Sequence, residues 1–402
     1  MLKYIGDKMT NVRKIFLRFL FFSALLPALV ACSGDSSTES VTGSNAAPSP
    51  STSALKPTGK YTINPQFQQA LSFSDGLAAV MQDDRWGYVD TTGNFSISPQ
   101  FDKAYGFING IALVGFGDLG STKWGFIDKT GKLLLNPTFD DAWFFSEDLV
   151  AVGVNTGNKI KYGYVDKLGK YVINPQFDTT YGFSEGLALF AEGNEEKRRW
   201  GYIDKTGKRA VPAQFEEAAD FSQGYAAVAI KTEYKGKKIL RYGAIDKQGK
   251  FIINPEFEFI GTYSDGLFPI KQENKWGFID VKGTFVVNPK YVEAQTFTEG
   301  LAGVCQGKRD KYGNGLKCGY VDVKGVEAIP LQFDEVGYFR NGVSSFGSGD
   351  INSDYEGRKY GYLDRSGKIL INPEFASAGE FVDGLALVKI GLGEVTRYGY
   401  IS

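Results

Sequence analysis

The sequence predicts an all-β fold built from nine copies of one antiparallel unit. Three observations carry that expectation. An aromatic–Gly pair puts its Gly at 87, 125, 163, 201, 243, 277, 319, 361 and 399, with Cys318 taking one aromatic slot. A second landmark, Gly before a Leu-Ala-like pair, falls at 76, 110, 186, 224, 266, 300, 342 and 384, with Asp148 in the remaining slot. From each first landmark to the next second landmark is always 23 residues, whereas the return distance is 11, 15 or 19. A fixed period of this length marks a repeat architecture. The 50 Gly, 31 Phe and 22 Tyr among 402 residues suit strands and turns.

Each unit reads, in order, as a strand Gly-Leu-Ala-x-Val, a loop, a strand Trp-Gly-Tyr-Ile-Asp, a turn, and a strand Lys-x-x-Ile-Asn-Pro. The turn is Asp-x-x-Gly, from Asp90/Gly93 to Asp364/Gly367. Asp at the first and Gly at the fourth position suit a type I turn. Pro65, Pro99, Pro137, Pro175, Pro212, Pro255, Pro289, Pro330 and Pro373 are expected to end the third strand, because proline donates nothing to a ladder. The segment after each Pro, such as Phe177 to Gly186, reads as a short fourth strand or a packed connection. Its two aromatics are expected to fill the space between units. The return loop grows in steps of four, which adds two residues to each strand of a hairpin and keeps every side chain on its face.

The array starts in mid-unit at Lys60 and ends in mid-unit at Ser402. Two arrangements of three- to four-stranded meanders follow. The favoured one is a β-propeller-like ring that completes its last unit from both ends of the array and so removes exposed sheet edges. Nine blades exceed the usual four to eight, and the alternative is an open β-superhelix with half-unit caps.

Ahead of the array, Lys3, Lys8, Arg13, Lys14 and Arg18 precede the apolar run Phe19 to Ala31. That run is shorter than the ~20 residues a membrane-spanning helix needs. Residues 1–31 therefore read as a secretory signal. The sequence Leu29-Val30-Ala31-Cys32 resembles the lipobox of bacterial lipoproteins. The resemblance implies that Cys32 is lipidated and becomes the mature N-terminus, and Ser33 after it resembles an outer-membrane sorting signal. Residues 32–58, rich in Ser, Thr and Pro, read as a flexible linker, and 59–402 as the repeat domain. The expected location is the bacterial cell envelope, by a lipid anchor in the outer membrane, in an oxidising compartment.

Composition narrows the chemistry. The chain has no His, which removes the commonest general base and the commonest metal ligand. Three Cys do not make an all-Cys zinc site. Forty-five basic against 46 acidic residues give no field for nucleic acid. Acidic residues recur at matching slots, so no unique carboxylate pair for glycoside hydrolysis stands out. The repeated aspartates are read as turn formers rather than a calcium ring. The expectation is no catalysis, no metal and no cofactor.

Trp holds the aromatic slot at 86, 124, 200 and 276, Tyr at 162, 242, 360 and 398. From Gly59 to Ser402 these in-phase copies resemble the WG repeat family of bacterial envelope proteins. That resemblance implies a binding or scaffold role. The expected function is a lipid-anchored scaffold for an envelope protein partner, with a glycan- or peptidoglycan-binding lipoprotein as the alternative.

Cys305 and Cys318 take the slots that Met81 and Trp86 hold in the shortest hairpin. A two-residue tip makes those slots direct cross-strand partners, so a disulfide is expected. Candidate partner-binding residues lie in the variable hairpins, because loops on rigid scaffolds carry recognition. They are Arg198 and Arg199 in Glu195–Arg199, Lys235, Lys237 and Lys238 in Lys231–Arg241, and Lys308, Arg309 and Tyr312. The segment Gly347–Lys359 is a fourth variable hairpin.

Overall fold

The first complete unit shows how the sequence makes a blade. In this computed structural model β2 (Gln69–Ala70), β3 (Leu77–Gln82), β4 (Arg85–Asp90) and β5 (Phe95–Phe101) form one antiparallel sheet in that order. The structure describes residues 55–402 except 119, 158, 194–196, 353–356 and 392–394. The signal, Cys32 and nearly all of the linker lie outside the described residues. Beyond β2 the chain runs on to Ser74, which bridges Leu77 across Asp75-Gly76. Both turn residues have positive φ, 54° and 80°. That is the geometry of a type I′ hairpin, which favours Asp or Asn followed by Gly. The second sequence landmark is therefore a tight turn, and the segment after each Pro is a fourth strand.

The Asp-x-x-Gly turn joins β4 to β5. Gly93 N–H donates to the Asp90 carbonyl, and Asp90 Oδ1 accepts from the N–H groups of Thr92 and Asn94 at 2.9 and 3.0 Å. The Thr92 hydroxyl also donates to this carboxylate, and these bonds hold its pKa below the usual range. Among the described residues the four-stranded sheet recurs nine times and no α-helix occurs.

One expectation fails. Pro99 does not end the third strand of the sequence pattern; β5 runs through it to Phe101. Trp86 pairs with Phe101 and Tyr88 with Ile97, so two residues on β4 oppose four on β5. Proline is tolerated here because β5 is an edge strand carrying a bulge. The bulge also explains the Gly of the aromatic–Gly pair. A Cβ on Gly87 would lie 2.6 Å from the Ile97 carbonyl oxygen and 2.7 Å from Pro99 N, both backbone atoms. The same approach recurs at Gly163, 2.4 Å from the Ile173 oxygen.

The ninth sheet consists of β34 (Ser377–Val382), β35 (Leu385–Ile390), β36 (Arg397–Ile401) and β1 (Tyr61–Phe67), in the order β1-β36-β35-β34. β1 thus completes the last blade and closes the array into a nine-bladed β-propeller. The open superhelix is excluded. At the seam the Asp-x-x-Gly turn is rebuilt from two chain segments. Ser402 N–H donates to Lys60 O, Gly59 N–H donates to Ser402 O, and the Thr58 and Ser402 hydroxyls lie 2.9 Å apart. These contacts match those of Asp90 with Asn94, Gly93 and Thr92.

Neighbouring blades share one repeated joint. Tyr88 packs against Phe107 of the next blade with ring centroids 4.8 Å apart, and its hydroxyl donates to Tyr105 O at 2.8 Å. The same hydroxyl-to-carbonyl bond is made by Tyr164, Tyr202, Tyr320, Tyr362 and Tyr400. Burial pushes these hydroxyls well above the ordinary tyrosine range. Phe126 and Phe278 keep the ring and drop the hydroxyl. Ala244 alone lacks the ring, and at that seam Phe268 stands where other blades carry Ala78, Ala112 or Ala188, packing on Tyr263 at 4.6 Å. Volume lost on one side of the seam is returned on the other, as close packing requires.

Candidate functional site: the hairpin face

The hairpins between the second and third strands of the blades all emerge on one face of the ring. All the length variation of the repeat is there. The shortest are two-residue turns, Asp83-Asp84 and Glu273-Asn274, at positive φ. The longest strands belong to the fifth blade, where β19 (Tyr225–Tyr234) and β20 (Lys237–Asp246) have ten residues each. In the seventh blade β27 (Leu301–Gly307) and β28 (Leu316–Asp322) have seven residues each, and the rest of that expansion, from Lys308 to Gly315, is a connecting loop. The pairing is the same throughout: Met81 opposes Trp86, Gly115 opposes Trp124 and Ala229 opposes Tyr242.

Cys305 opposes Cys318 in this register, and the two are joined by a disulfide with Cα atoms 4.1 Å apart. Their sequence separation is 13. Closing a loop of this size is worth about 3 kcal/mol in the chain-entropy picture. Reduction is therefore expected to lower stability by roughly that amount, read from urea midpoints with and without reductant.

The base of the face is a ladder of ion pairs. Arg85–Asp102, Lys123–Asp140, Lys161–Asp178, Arg199–Glu216 and Lys317–Asp334 each join the third strand of a blade to the residue after its outer strand. The second oxygen of the acid reaches the next blade: Asp102 accepts from Gly117 N–H, Asp140 from Asn155 N–H and Asp334 from Gly349 N–H, at 2.8–2.9 Å. These acids thus brace one hairpin against the next. Glu216 does so through Lys231 at 3.1 Å.

A cleft of about 450 Å³ opens between this ladder and the long β19–β20 hairpin. Arg199, Gln214 and Glu216 form one wall, and Ile230, Lys231, Glu233 and Lys238 the other. Lys235 stands in the hairpin turn at φ 50°, its Nζ over the Tyr234 ring at 5.2 Å. Tyr234 is 54% exposed. Lys235, Lys237 and Lys238 are all exposed.

Other predicted residues lie elsewhere. Arg198 is half-buried beside Tyr181. Arg309 is neutralised by Glu293 through two bonds at 2.9 and 2.7 Å. Lys308 is exposed, and Tyr312 carries Lys311 Nζ over its ring at 4.6 Å. This group sits on the seventh blade, so it forms no single site with Lys235. The seventh and eighth hairpins are instead locked together. Asn314 donates to Ile351 O at 2.8 Å and accepts from Ile351 N–H at 2.7 Å, while buried Arg358 reaches Glu335 at 3.0 Å and Gly349 O at 3.0 Å. Glu195 and Glu196 lie outside the described residues.

One enclosed acid stands apart. Asp220, two residues past the inner strand of the fifth blade (Glu217–Ala218), is half-buried, and its enclosure by protein pushes the carboxyl up to about 6. An acid whose folded pKa is raised is destabilising once ionised. The penalty is absent below about pH 4, grows between about pH 4 and 6, and is constant above. Asp220→Asn is expected to raise stability at pH 7 by about 1–3 kcal/mol and leave it unchanged at pH 3.5. Thermal melts at the two pH values check this. Among the described residues no group of acids or cysteines is placed to hold a metal ion.

A family model described as "WG containing repeat" matches residues 55–86, 86–119, 124–158, 162–195, 200–231, 242–276, 276–312, 319–346 and 360–391. The chain belongs to the WG-repeat family. No curated protein matches it. Among solved structures it is similar to prolyl oligopeptidase B from Galerina marginata, with 12% identity, TM-score 0.40, and 84% of this chain and 55% of that one covered. It is also similar to an acylaminoacyl peptidase from Pyrococcus horikoshii, with 9% identity, TM-score 0.36, and 71% and 56% covered. A third is the β-propeller domain of the Trilobed protease from Pyrococcus furiosus, with 11% identity, TM-score 0.38, and 75% and 94% covered. The chain spans little more than half the length of the two peptidases.

Two features of the WG-repeat site escaped the sequence reading. One is the acid that neutralises Arg199. It follows its base by 17 residues in five blades, from Arg85–Asp102 to Lys317–Asp334, and that constant spacing was its signal. The other is the cleft, which depends on two blades together.

Proposed function

We propose that this WG-repeat propeller is a binding scaffold that holds a protein partner on its hairpin face and performs no catalysis. The observation that carries the reading is the confinement of all length variation to that face. The opposite face repeats the same Asp-x-x-Gly and type I′ turns blade after blade. A fixed frame with variable loops at one end is how rigid scaffolds present recognition elements. The contact point is the β19–β20 hairpin, which carries Lys235, Lys237, Lys238 and Arg241 against one acid, Glu233, paired opposite Lys238. Its charge suits an acidic surface.

The same proposal places the scaffold in a bacterial cell envelope, tethered through lipidated Cys32 and the linker to 58, in the outer membrane. The support is the basic-then-apolar leader and the lipobox-like sequence. Cys32→Ala is expected to release the chain into the soluble fraction. Glycan binding has one structural argument, the exposed rings Tyr61, Phe95 and Phe285 on the outer strands. Those rings sit edge-on against Phe375, Phe67 and Phe257 of adjacent blades, which makes them part of the seams.

The test is crosslinking in intact cells with the wild-type chain and with Lys235→Glu/Lys237→Glu/Lys238→Glu. A protein partner recovered with the first and reduced about tenfold with the second, a loss of ~1.4 kcal/mol, is the expected result. Equal recovery would remove the hairpin from the interface.

A further inference from the structure

Some blades cover their own aromatic slot with a ring from the inner strand, and others carry Gly at that position, Gly337 in the eighth blade and Gly379 in the ninth. In the fourth blade Tyr181 of the inner strand stacks on Trp200, with centroids 5.5 Å and planes 13° apart. In the second blade Tyr105 lies over Trp124 at 5.9 Å. In the eighth blade the position of Tyr181 belongs to Gly337. The equivalence is structural: the carbonyls of Tyr181 and Gly337 both accept from the buried tyrosine of the preceding blade, Tyr164 and Tyr320. Tyr360 takes the place of Trp200 and pairs with Gly347 as Trp200 pairs with Ala191.

Without the covering ring a cavity of about 220 Å³ remains. Gly337, Ser345, Phe346 and Tyr360 line it from the eighth blade and Ser377 from the ninth. Its lining holds one carboxylate, Glu335, whose side chain is 51% exposed. Glu335 Oε2 accepts from Tyr360 at 2.9 Å and from Arg358 at 3.0 Å. A carboxylate has about four acceptor sites, so it has capacity for a further donor. The slot therefore offers an aromatic face, room for a ring, and a negative acceptor at its edge.

We propose that this slot binds a donor-bearing aromatic side chain, a Tyr or Trp of a protein partner, in the place that Tyr181 fills in the fourth blade. Ring stacking supplies the apolar contact, and the phenol or indole donor meets Glu335. This deepens the scaffold reading and rests on it for the occupant being part of a protein. It does not depend on the β19–β20 hairpin.

The test uses saturation-transfer NMR on the full chain with three probes at millimolar concentration: N-acetyl-tyrosine amide, N-acetyl-leucine amide and N-acetylglucosamine. The tyrosine probe is expected to bind the wild type and to lose about tenfold in affinity, ~1.4 kcal/mol, in Gly337→Tyr/Ser345→Ala. The second change clears the Ser345 Oγ, which a Cβ at 337 would meet at 2.6 Å. Should that variant melt early, Tyr360→Leu removes the platform at a slot that already accepts Cys318 in the seventh blade. No transfer to the tyrosine probe, equal transfer in wild type and variants, or transfer to the leucine probe as strong as to tyrosine overturns the proposal. Preferential transfer to N-acetylglucosamine overturns it in favour of a sugar. None of these outcomes touches the charge-reversal test of the hairpin.

Discussion

Tyr400→Ala is expected to destabilise the propeller by about 4 kcal/mol, the cost of removing a large ring from a closed core. Tyr400 is fully buried, packs on Phe73 with centroids 4.7 Å apart, and donates to Leu71 O at 2.7 Å. Both partners belong to the first blade, so this joint ties the two ends of the array. Tyr400→Phe loses only the hydrogen bond and is expected to cost about 1 kcal/mol. The chain itself supplies the precedent, since Phe126 and Phe278 fill the same slot. Urea denaturation gives the two costs. Hydrogen exchange on β1 should accelerate in the alanine variant, because loosening this joint releases the strand that β36 holds.

Gly163→Ala is expected to cost about 3 kcal/mol, at the upper end for overpacking a filled site. The residue is in a strand, where exchanging Gly for Ala ordinarily gains about 0.5–1 kcal/mol. The sign reverses because the new Cβ would lie 2.4 Å from Ile173 O and 2.6 Å from Pro175 N. Both are backbone atoms of the bulge and have no rotamer to escape into. Gly106→Ala is the control. Its Cβ would meet nothing nearer than Ser74 Cβ at 3.5 Å, and it should leave stability unchanged or slightly raised. Equal behaviour of the two variants would detach the aromatic–Gly pair from the bulge.

Hairpin register was legible in spacing alone. The distances between landmarks change in steps of four, and Cys305 does oppose Cys318. The physical route to that pairing was only partly anticipated. The fifth blade lengthens its strands by the full amount, but the seventh adds one residue to each strand and puts the rest in a loop that closes on itself, where Asn314 N–H donates to Asp310. Pro99 was misread because its effect depends on which strand of the sheet is the edge. That order is a property of the whole ring. The closure was visible as two half-units, yet the rebuilt turn of Thr58, Gly59, Lys60 and Ser402 required coordinates.

The candidate site was less legible for a related reason. Charge is local in sequence, but neutralisation is set by neighbours across strands. Arg309 is one of the basic residues of its hairpin in sequence, but in the fold Glu293 lies beside it and accepts from its guanidinium. Lys235, Lys237 and Lys238 are exposed on a hairpin that extends beyond the acids of the ladder. The slot at Gly337 emerges only when units are superposed, where a missing ring is as informative as a present one.

The most direct test of the closed ring is a disulfide across its seam. Thr58→Cys/Ser402→Cys, made with Cys32→Ala, places two thiols where hydroxyls now lie 2.9 Å apart. A closed nine-bladed propeller should form this bond within one molecule under mild oxidation, detected by non-reducing mass spectrometry of the linked peptides. Free thiols, or linkage only between molecules, would show that the ends of the array do not meet.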